Sequence, residues 1–178
     1  MNATTIKRPI TACTYDTPAV PLAVLVDSEA GTEQDAPVIV AAGFCSAAEL
    51  WDRLPESRGP LQETSNLGSF HQPILDYLAG DLSAIDHLPL SQHGTKLQHE
   101  VWNELASIPA GETRTYGELA KATSSPGAVR AVGTACGKNL IVPFVPCHRA
   151  LRSDGSLGGY RYDLSVKEWL LNREQGQS

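Results

Sequence analysis

Between residues 95 and 139 the chain carries three helix-start signals in close succession, and this clustering restricts its second half to short, packed helices. Thr95-Lys96-Leu97-Gln98 has the form of a capping box, in which the Thr hydroxyl and the Gln side chain close the first backbone amides of a helix. Leu97, Val101, Leu105 and Ile108 then recur at helical spacing until Pro109 stops the run. Thr115-Tyr116-Gly117-Glu118 repeats the capping form and opens a short helix through about Ala122. Ser125-Pro126 predicts an N-cap followed by proline at the first position of a further helix over 127–139. Two short helices joined by a tight turn predict a helix-turn-helix.

Projected at the helical period, the 127–139 segment puts Val129, Val132 and Cys136 on one face and Gly127, Arg130, Ala131 and Thr134 on the other. The first face is a core stripe. The second is small, with one long cation on it, which suits either tight helix packing or close approach to a DNA groove. The first half has α/β character: strands over 21–27 and 37–42, helices over 46–54 and 69–80. Residues 88–94, LPLSQHG, form a plausible linker. The glycine-rich segment 152–162 predicts a hairpin or mobile loop containing Tyr160 and Tyr162. Ser165-Val166-Lys167-Glu168 opens a last helix with Val166, Trp169 and Leu170 as its apolar face; Glu174, one turn on, is drawn toward the core or left at a frayed end.

At 178 residues the chain can bury a core without cross-links. The cysteines at 13, 45, 136 and 147 have no zinc-finger or C-x-x-C spacing, and the first residues lack an apolar leader, so the expectation is an intracellular protein with reduced thiols. No apolar run is long enough to cross a bilayer. Charge is uneven. Residues 1–88 hold 4 Lys/Arg against 12 Asp/Glu, whereas 89–178 hold 10 against 8, within a total of −6. Arg114, Lys121, Arg130, Lys138, Arg149 and Arg152 lie in a stretch with Glu118 as its one acid. Such a stretch is either a nucleic-acid footprint or solvated surface. Cys147 and His148 are adjacent, the raw material of a thiolate nucleophile and its base, although neighbouring side chains in an extended segment diverge. A buried structural Cys with a surface His is the alternative.

PCHRA at 146–150, TYGELA at 115–120, AVRAVGTACGKN at 128–139 and GSLGGYRYDLSVKEWLLNRE at 155–174 together resemble the O6-alkylguanine-DNA alkyltransferases, the methylated-DNA–protein-cysteine methyltransferases. The resemblance is strong over about 95–175 and looser before it, where YDTPAVPLAVL approximates the family's opening strand. It implies an α+β fold: an N-terminal ribonuclease-H-like α/β domain over 1–90, then a mainly helical winged helix-turn-helix domain over 91–178. It implies direct reversal of damage, with the alkyl group of O6-alkylguanine, and of O4-alkylthymine, passing irreversibly to Cys147, once per molecule.

Carried over residue by residue, the resemblance makes Cys147 the nucleophile, in a relay through water to His148 and Glu174. Tyr116 rotates the nucleotide and donates a proton to the leaving guanine, and Asn139 holds the turn beside the Cys segment. Thr115, Tyr116, Ala128, Arg130, Ala131 and Gly133 would contact DNA, the 127–136 helix entering the minor groove and Arg130 filling the gap of the flipped base. Pro146, Ala150, Gly158, Gly159, Tyr160 and Arg161 would form the base pocket. No cofactor and no metal are implied; Cys13, Cys45, His71 and His87 lack the spacing of the zinc site some relatives have. The implied partner is double-stranded DNA containing O6-alkylguanine, with no membrane. The protein would be a monomer, with cooperative assembly on DNA left open, and cytoplasmic if bacterial or nuclear if eukaryotic.

Ala150 stands where Val or Ile is usual, predicting a roomier pocket floor, and Arg161 adds bulk and charge to the lid. Cys136 is assigned to the core, with approach to the pocket as the alternative. Two rivals remain: a winged-helix DNA-binding protein without chemistry, and a cysteine hydrolase, which would leave the Arg130 helix unexplained.

Overall fold

The computed structural model describes residues 9–28, 36–55 and 58–176. Residues 1–8, on which the expectation about a leader chiefly rests, lie outside them. The architecture is mixed α/β. Strands β1 (Ile10–Tyr15), β2 (Leu22–Asp27) and β3 (Val38–Gly43) form an antiparallel meander, and β4 (Leu61–Glu63) pairs parallel with β1, giving the order β3-β2-β1-β4. Every residue of β3 is buried, as expected of a strand covered on both faces. Helix α1 (Ala47–Asp52) packs on one face against Ile10, Ala23 and Leu25. The other face, with Tyr15, Val24 and Ile39, joins one continuous core that includes Ile74 of α2 (His71–Ala79) and residues of the second half such as Val101, Ile141 and Leu170. Leu22, Leu25 and Ile39 are fully buried, each contributing about 1.5–3 kcal/mol over an exposed side chain.

The 88–94 segment connects the two halves but does not hang free. Ile39 donates its N–H to Pro89 O at 2.9 Å and accepts from Ser91 N at 2.9 Å, so the segment is laid on the edge of β3. Further along that edge, Ala42 N donates to Leu140 O at 2.8 Å and Val142 N to Ala42 O at 3.0 Å. An edge that would offer unpaired amides is thereby covered.

Helix α3 (Lys96–Ala106) starts on the expected Thr95/Gln98 capping box, and Trp102 Nε1 ties it to Ala135 O at 3.0 Å. The pair β5 (Arg114–Thr115) leads into α4 (Tyr116–Lys121), which has the Thr115/Glu118 box. Helix α5 spans Val129–Lys138 and corrects two expectations. Ser125 is not its N-cap: Ser125 O accepts from Ala128 N at 2.9 Å, so Pro126 and Gly127 are the corners of a turn, and Ala128 is the N-cap without a side-chain bond. Proline's fixed φ serves a turn corner as well as a first helical turn, and here the turn wins. Val129 is also not in the core. It is 43% exposed, because the buried face is set by Val132, Ala135 and Cys136.

Helix α6 (Leu164–Glu174) starts at Asp163, not Ser165. The Asp163 carboxylate accepts from Ser165 N at 2.8 Å, and a charged acceptor is favoured at the positive end of a helix. In the 152–162 segment, a turn around Asp154 is closed by Arg152 N to Ser156 O at 3.0 Å. Beyond it, Leu157 O accepts from Lys167 of α6, Arg161 reaches Gly137 O at the end of α5, and Tyr162 lies against Gly43 and Phe44. Among the described residues no helix is long and apolar enough to cross a membrane.

Candidate active site around Cys147

The short strand β6 (Ala150–Leu151) pairs parallel with β5, matching Arg114 to Ala150 and Thr115 to Leu151. This pairing brings the start of α4, and so Tyr116, to the 3-10 turn Cys147–Arg149. Cys147 is 5% exposed and His148 is fully buried. His148 Nε2–H donates to Glu174 Oε1 at 2.7 Å across the core. Arg149 Nε adds bonds of 3.2 and 3.0 Å to the two oxygens of the same carboxylate, Arg149 Nη2 one of 2.8 Å, and Gly111 N one of 3.2 Å. Arg149 Nη1 also reaches Ile108 O. Glu174 is therefore not a frayed end. Its side chain is 1% exposed and satisfied on both oxygens.

The electrostatics follow from this packing. Burial pushes the Glu174 carboxyl up, but the hydrogen bonds and charges of His148 and Arg149 outweigh it and bring the group down to about 2. Burial lowers His148 despite its carboxylate partner, so the imidazole is neutral at physiological pH. With Nε2 donating to Glu174, the basic lone pair sits on Nδ1, which is buried without a protein partner among the described residues. Burial raises the Cys147 thiol, opposed by a hydrogen bond from Asn139 and by the charges of Lys167 and Arg161. The arrangement is a protonated thiol beside a neutral base whose other nitrogen is anchored on a permanent anion, which is what a base-assisted nucleophile requires.

Asn139 is fully buried where the chain leaves α5. Its Nδ2 donates to Val145 O at 2.8 Å, and its Oδ1 accepts from Ile141 N at 3.0 Å. Beside the thiol lies a cavity of about 350 Å³, lined by Tyr116, Gly133, Cys136, Gly137, Cys147, Gly159, Tyr160 and Arg161. Gly159, Tyr160 and Arg161, which the resemblance assigns to the base pocket, are in this lining, and so is Tyr116. Pro146 and Ala150 are buried and stand outside the lining, and the Ala150 carbonyl accepts from Lys167. Gly158 backs the wall: at φ 70 it lies so close to Tyr116 that a Cβ would stand 3.1 Å from that ring. Tyr116 Oη donates to Gly159 O at 3.5 Å, and burial, with Cys136 and Cys147 nearby, raises its hydroxyl to about 12. Cys136 is both buried and part of the lining.

Of the residues expected at DNA, Arg130 and Ala131 are exposed on α5 and Ala128 is half-buried at its N-cap. Gly133 faces the cavity, and the Thr115 hydroxyl is committed to Glu118 at 2.8 Å. Arg149 is turned inward and Arg114 bonds Glu104 at 3.1 Å, so the exposed part of the basic stretch is Lys121, Arg130, Lys138 and Arg152. Among the described residues no group of three or more His, Cys, Asp or Glu could hold a metal ion.

Sequence reasoning missed Lys167. It is fully buried, donates from Nζ to Ala150 O at 2.7 Å and to Leu157 O, and stands 6.0 and 5.8 Å from the ring centres of Tyr116 and Tyr160. Burial lowers its pKa. Its signal was present: Lys167 lies seven residues before Glu174, two turns along one helical face.

Residues 96–176 match the family described as 6-O-methylguanine DNA methyltransferase, DNA binding domain. A methylated-DNA–protein-cysteine methyltransferase of Shigella flexneri is 46% identical over 110 residues, covering 62% of this chain and 64% of the relative, just under two thirds of that protein's length. The constitutive methylated-DNA–protein-cysteine methyltransferase of Bacillus subtilis is 44% identical over 115 residues, covering 64% of this chain and 69% of the relative. The solved structure of Mycobacterium tuberculosis OGT in complex with DNA is similar over 95% of both chains, with a TM-score of 0.72 and 31% identity. A Cys-His turn on a buried carboxylate, beside a Tyr-walled cavity, thus lies inside the matched region, and the chain belongs to the methylated-DNA–protein-cysteine methyltransferase family.

Proposed function

We propose that this protein repairs DNA by taking the alkyl group of O6-alkylguanine, and of O4-alkylthymine, onto Cys147. The observation that carries the reading is the buried His148–Glu174 pair at 2.7 Å next to a thiol that borders a 350 Å³ cavity. The target base is flipped into the cavity, since a stacked base is out of a thiol's reach. The Cys147 proton passes through water to His148 Nδ1, and sulfur forms its bond to the alkyl carbon as the carbon–O6 bond breaks. The departing guanine takes a proton from Tyr116, whose hydroxyl is protonated at neutral pH. The proton held by His148 restores that balance. The product is a thioether, a poor leaving group, so each molecule acts once and needs no cofactor.

Residues 1–90 are a ribonuclease-H-like domain in this reading; a three-stranded meander with a fourth strand parallel to its first supports it. Residues 91–178 are a winged helix-turn-helix domain, supported by α4, α5 and the β5–β6 pair. The exposed face of α5 enters the minor groove of double-stranded DNA with Arg130 in the gap. Cys147→Ser tests the division of labour: transfer is lost while duplex affinity is retained, and parallel loss of both makes Cys147 a structural residue instead.

A further inference from the structure

The edge of β3 carries two backbone segments laid end to end, 89–91 and 140–142. At their junction stands Gln92. Its Oε1 accepts from Leu140 N at 3.0 Å, and its Nε2 donates to Asn139 Oδ1 at 3.2 Å. The side-chain amide thus offers one acceptor and one donor to the gap, as the peptide group of a strand residue would.

Asn139 Nδ2 and Cys147 N donate to the same carbonyl, Val145 O, at 2.8 and 2.9 Å, so the Asn139 amide braces the turn that carries the thiol. Its orientation matters because its two ends are chemically different. Oδ1 receives two N–H groups, from Ile141 and Gln92, and Nδ2 faces the carbonyl of Val145. A flipped amide would set donor against donor at Gln92 and Ile141 and acceptor against acceptor at Val145. We propose that Gln92 is a positioning residue for alkyl transfer: it holds the Asn139 amide with Nδ2 toward the Cys147 turn and ties that orientation to the edge of the sheet. The proposal rests on Cys147 being the nucleophile.

The titratable groups around the thiol are Tyr116 of α4, Cys136 of α5, Lys167 of α6, and Tyr160, Arg161 and Tyr162 of the 160–162 segment, with His148 next to it in the turn. Gln92 carries no charge, so its removal alters the thiol through the Asn139 amide and the Leu140 backbone that it braces, not through a lost charge. Displacing the Asn139 amide removes an influence that favours the thiolate against burial, and the defect is greatest where little thiolate exists.

The test measures the rate of transfer from free O6-benzylguanine to Cys147 between about pH 6 and 10, with duplex affinity and thermal unfolding as companions, for wild type, Gln92→Leu and Gln92→Glu. Leucine removes both bonds; glutamate keeps the acceptor for Leu140 N and sets an oxygen against Asn139 Oδ1. Both variants should react roughly tenfold more slowly near neutrality, the scale of one hydrogen bond. The deficit should shrink as pH rises, with duplex affinity unchanged. Leucine controls for the charge that glutamate introduces, so the shift must appear in both. Wild-type rates and an unchanged pH profile in both variants overturn the proposal. A deficit that is equal at every pH and tracks a lower unfolding temperature overturns it too, since Gln92 is then only packing. A wild type that fails to alkylate Cys147 both with the free base and with duplex DNA carrying O6-methylguanine rejects the functional reading itself.

Discussion

At the scale of single residues the site is organised by one carboxylate. Glu174 accepts from His148, Arg149 and Gly111, and its folded pKa of about 2 lies below the ordinary carboxylate value. A depressed pKa means that its contribution to stability is complete above the unfolded value, near 4.3, and is lost as pH falls toward 2. That contribution is on the order of 3 kcal/mol. His148 is depressed as well, so stability begins to decline as pH falls through the unfolded His value of about 6.5. Urea unfolding across pH 2–8 should therefore show two successive losses. Glu174→Gln should remove the lower one and destabilise the neutral protein by roughly 3–5 kcal/mol, since Arg149 and His148 are left buried around a neutral group. An unchanged pH profile in that variant would mean the pair is not held in solution. Lys167→Met removes a cation that favours the thiolate and strands two carbonyls. Transfer should slow by about an order of magnitude at neutral pH and recover in alkali. Equal rates in wild type and variant would show that Lys167 is only a tether.

At the scale of elements, legibility depended on how far a signal reached along the chain. The Thr95 and Thr115 capping boxes are complete within four residues, and both helices start where those residues say. Ser125-Pro126 misled because a turn corner and a first helical turn ask the same φ of proline, and only the Ala128 to Ser125 bond separates them. Strands β4, β5 and β6 have two or three residues, too few for any periodicity to register. The placing of the 159–161 wall could not be read from local pattern either, because Tyr162, which follows it, is seated on a distant strand. Gly43 of β3 leaves room for Tyr162: a Cβ there would lie 1.7 Å from Tyr162 Oη and 2.6 Å from Cζ. Gly43→Ala should cost about 1–3 kcal/mol by overpacking, and Tyr162→Leu in the same chain should recover part of it. Strict additivity in denaturation would show no contact. Arg130, exposed on the small face of α5, should matter to duplex repair alone. Arg130→Ala should lower the duplex-to-free-base rate ratio by the equivalent of a few kcal/mol, the scale of unstacking a base. An unchanged ratio would make it a surface charge.

At the scale of the whole molecule, the two halves meet along β3, whose edge holds both the connecting segment and the residues that follow Asn139. The second half was legible as a set of motifs, but the pairing of residues far apart in sequence, such as His148 with Glu174 or Gln92 with Asn139, was legible only where a family pattern supplied it. The first was implied by resemblance. The second was not, because nothing in LPLSQHG distinguishes a structural glutamine from a linker residue. The central claim is that all this architecture serves one alkyl transfer to one sulfur. It is tested most directly by mixing a fixed amount of protein with excess duplex DNA carrying a single O6-methylguanine, then weighing the intact protein and its cysteine peptides. The account predicts that one methyl group is gained, on the Cys147 peptide, and that repair stops at one equivalent. Continued turnover, or methyl found on Cys13, Cys45 or Cys136 instead, would contradict it.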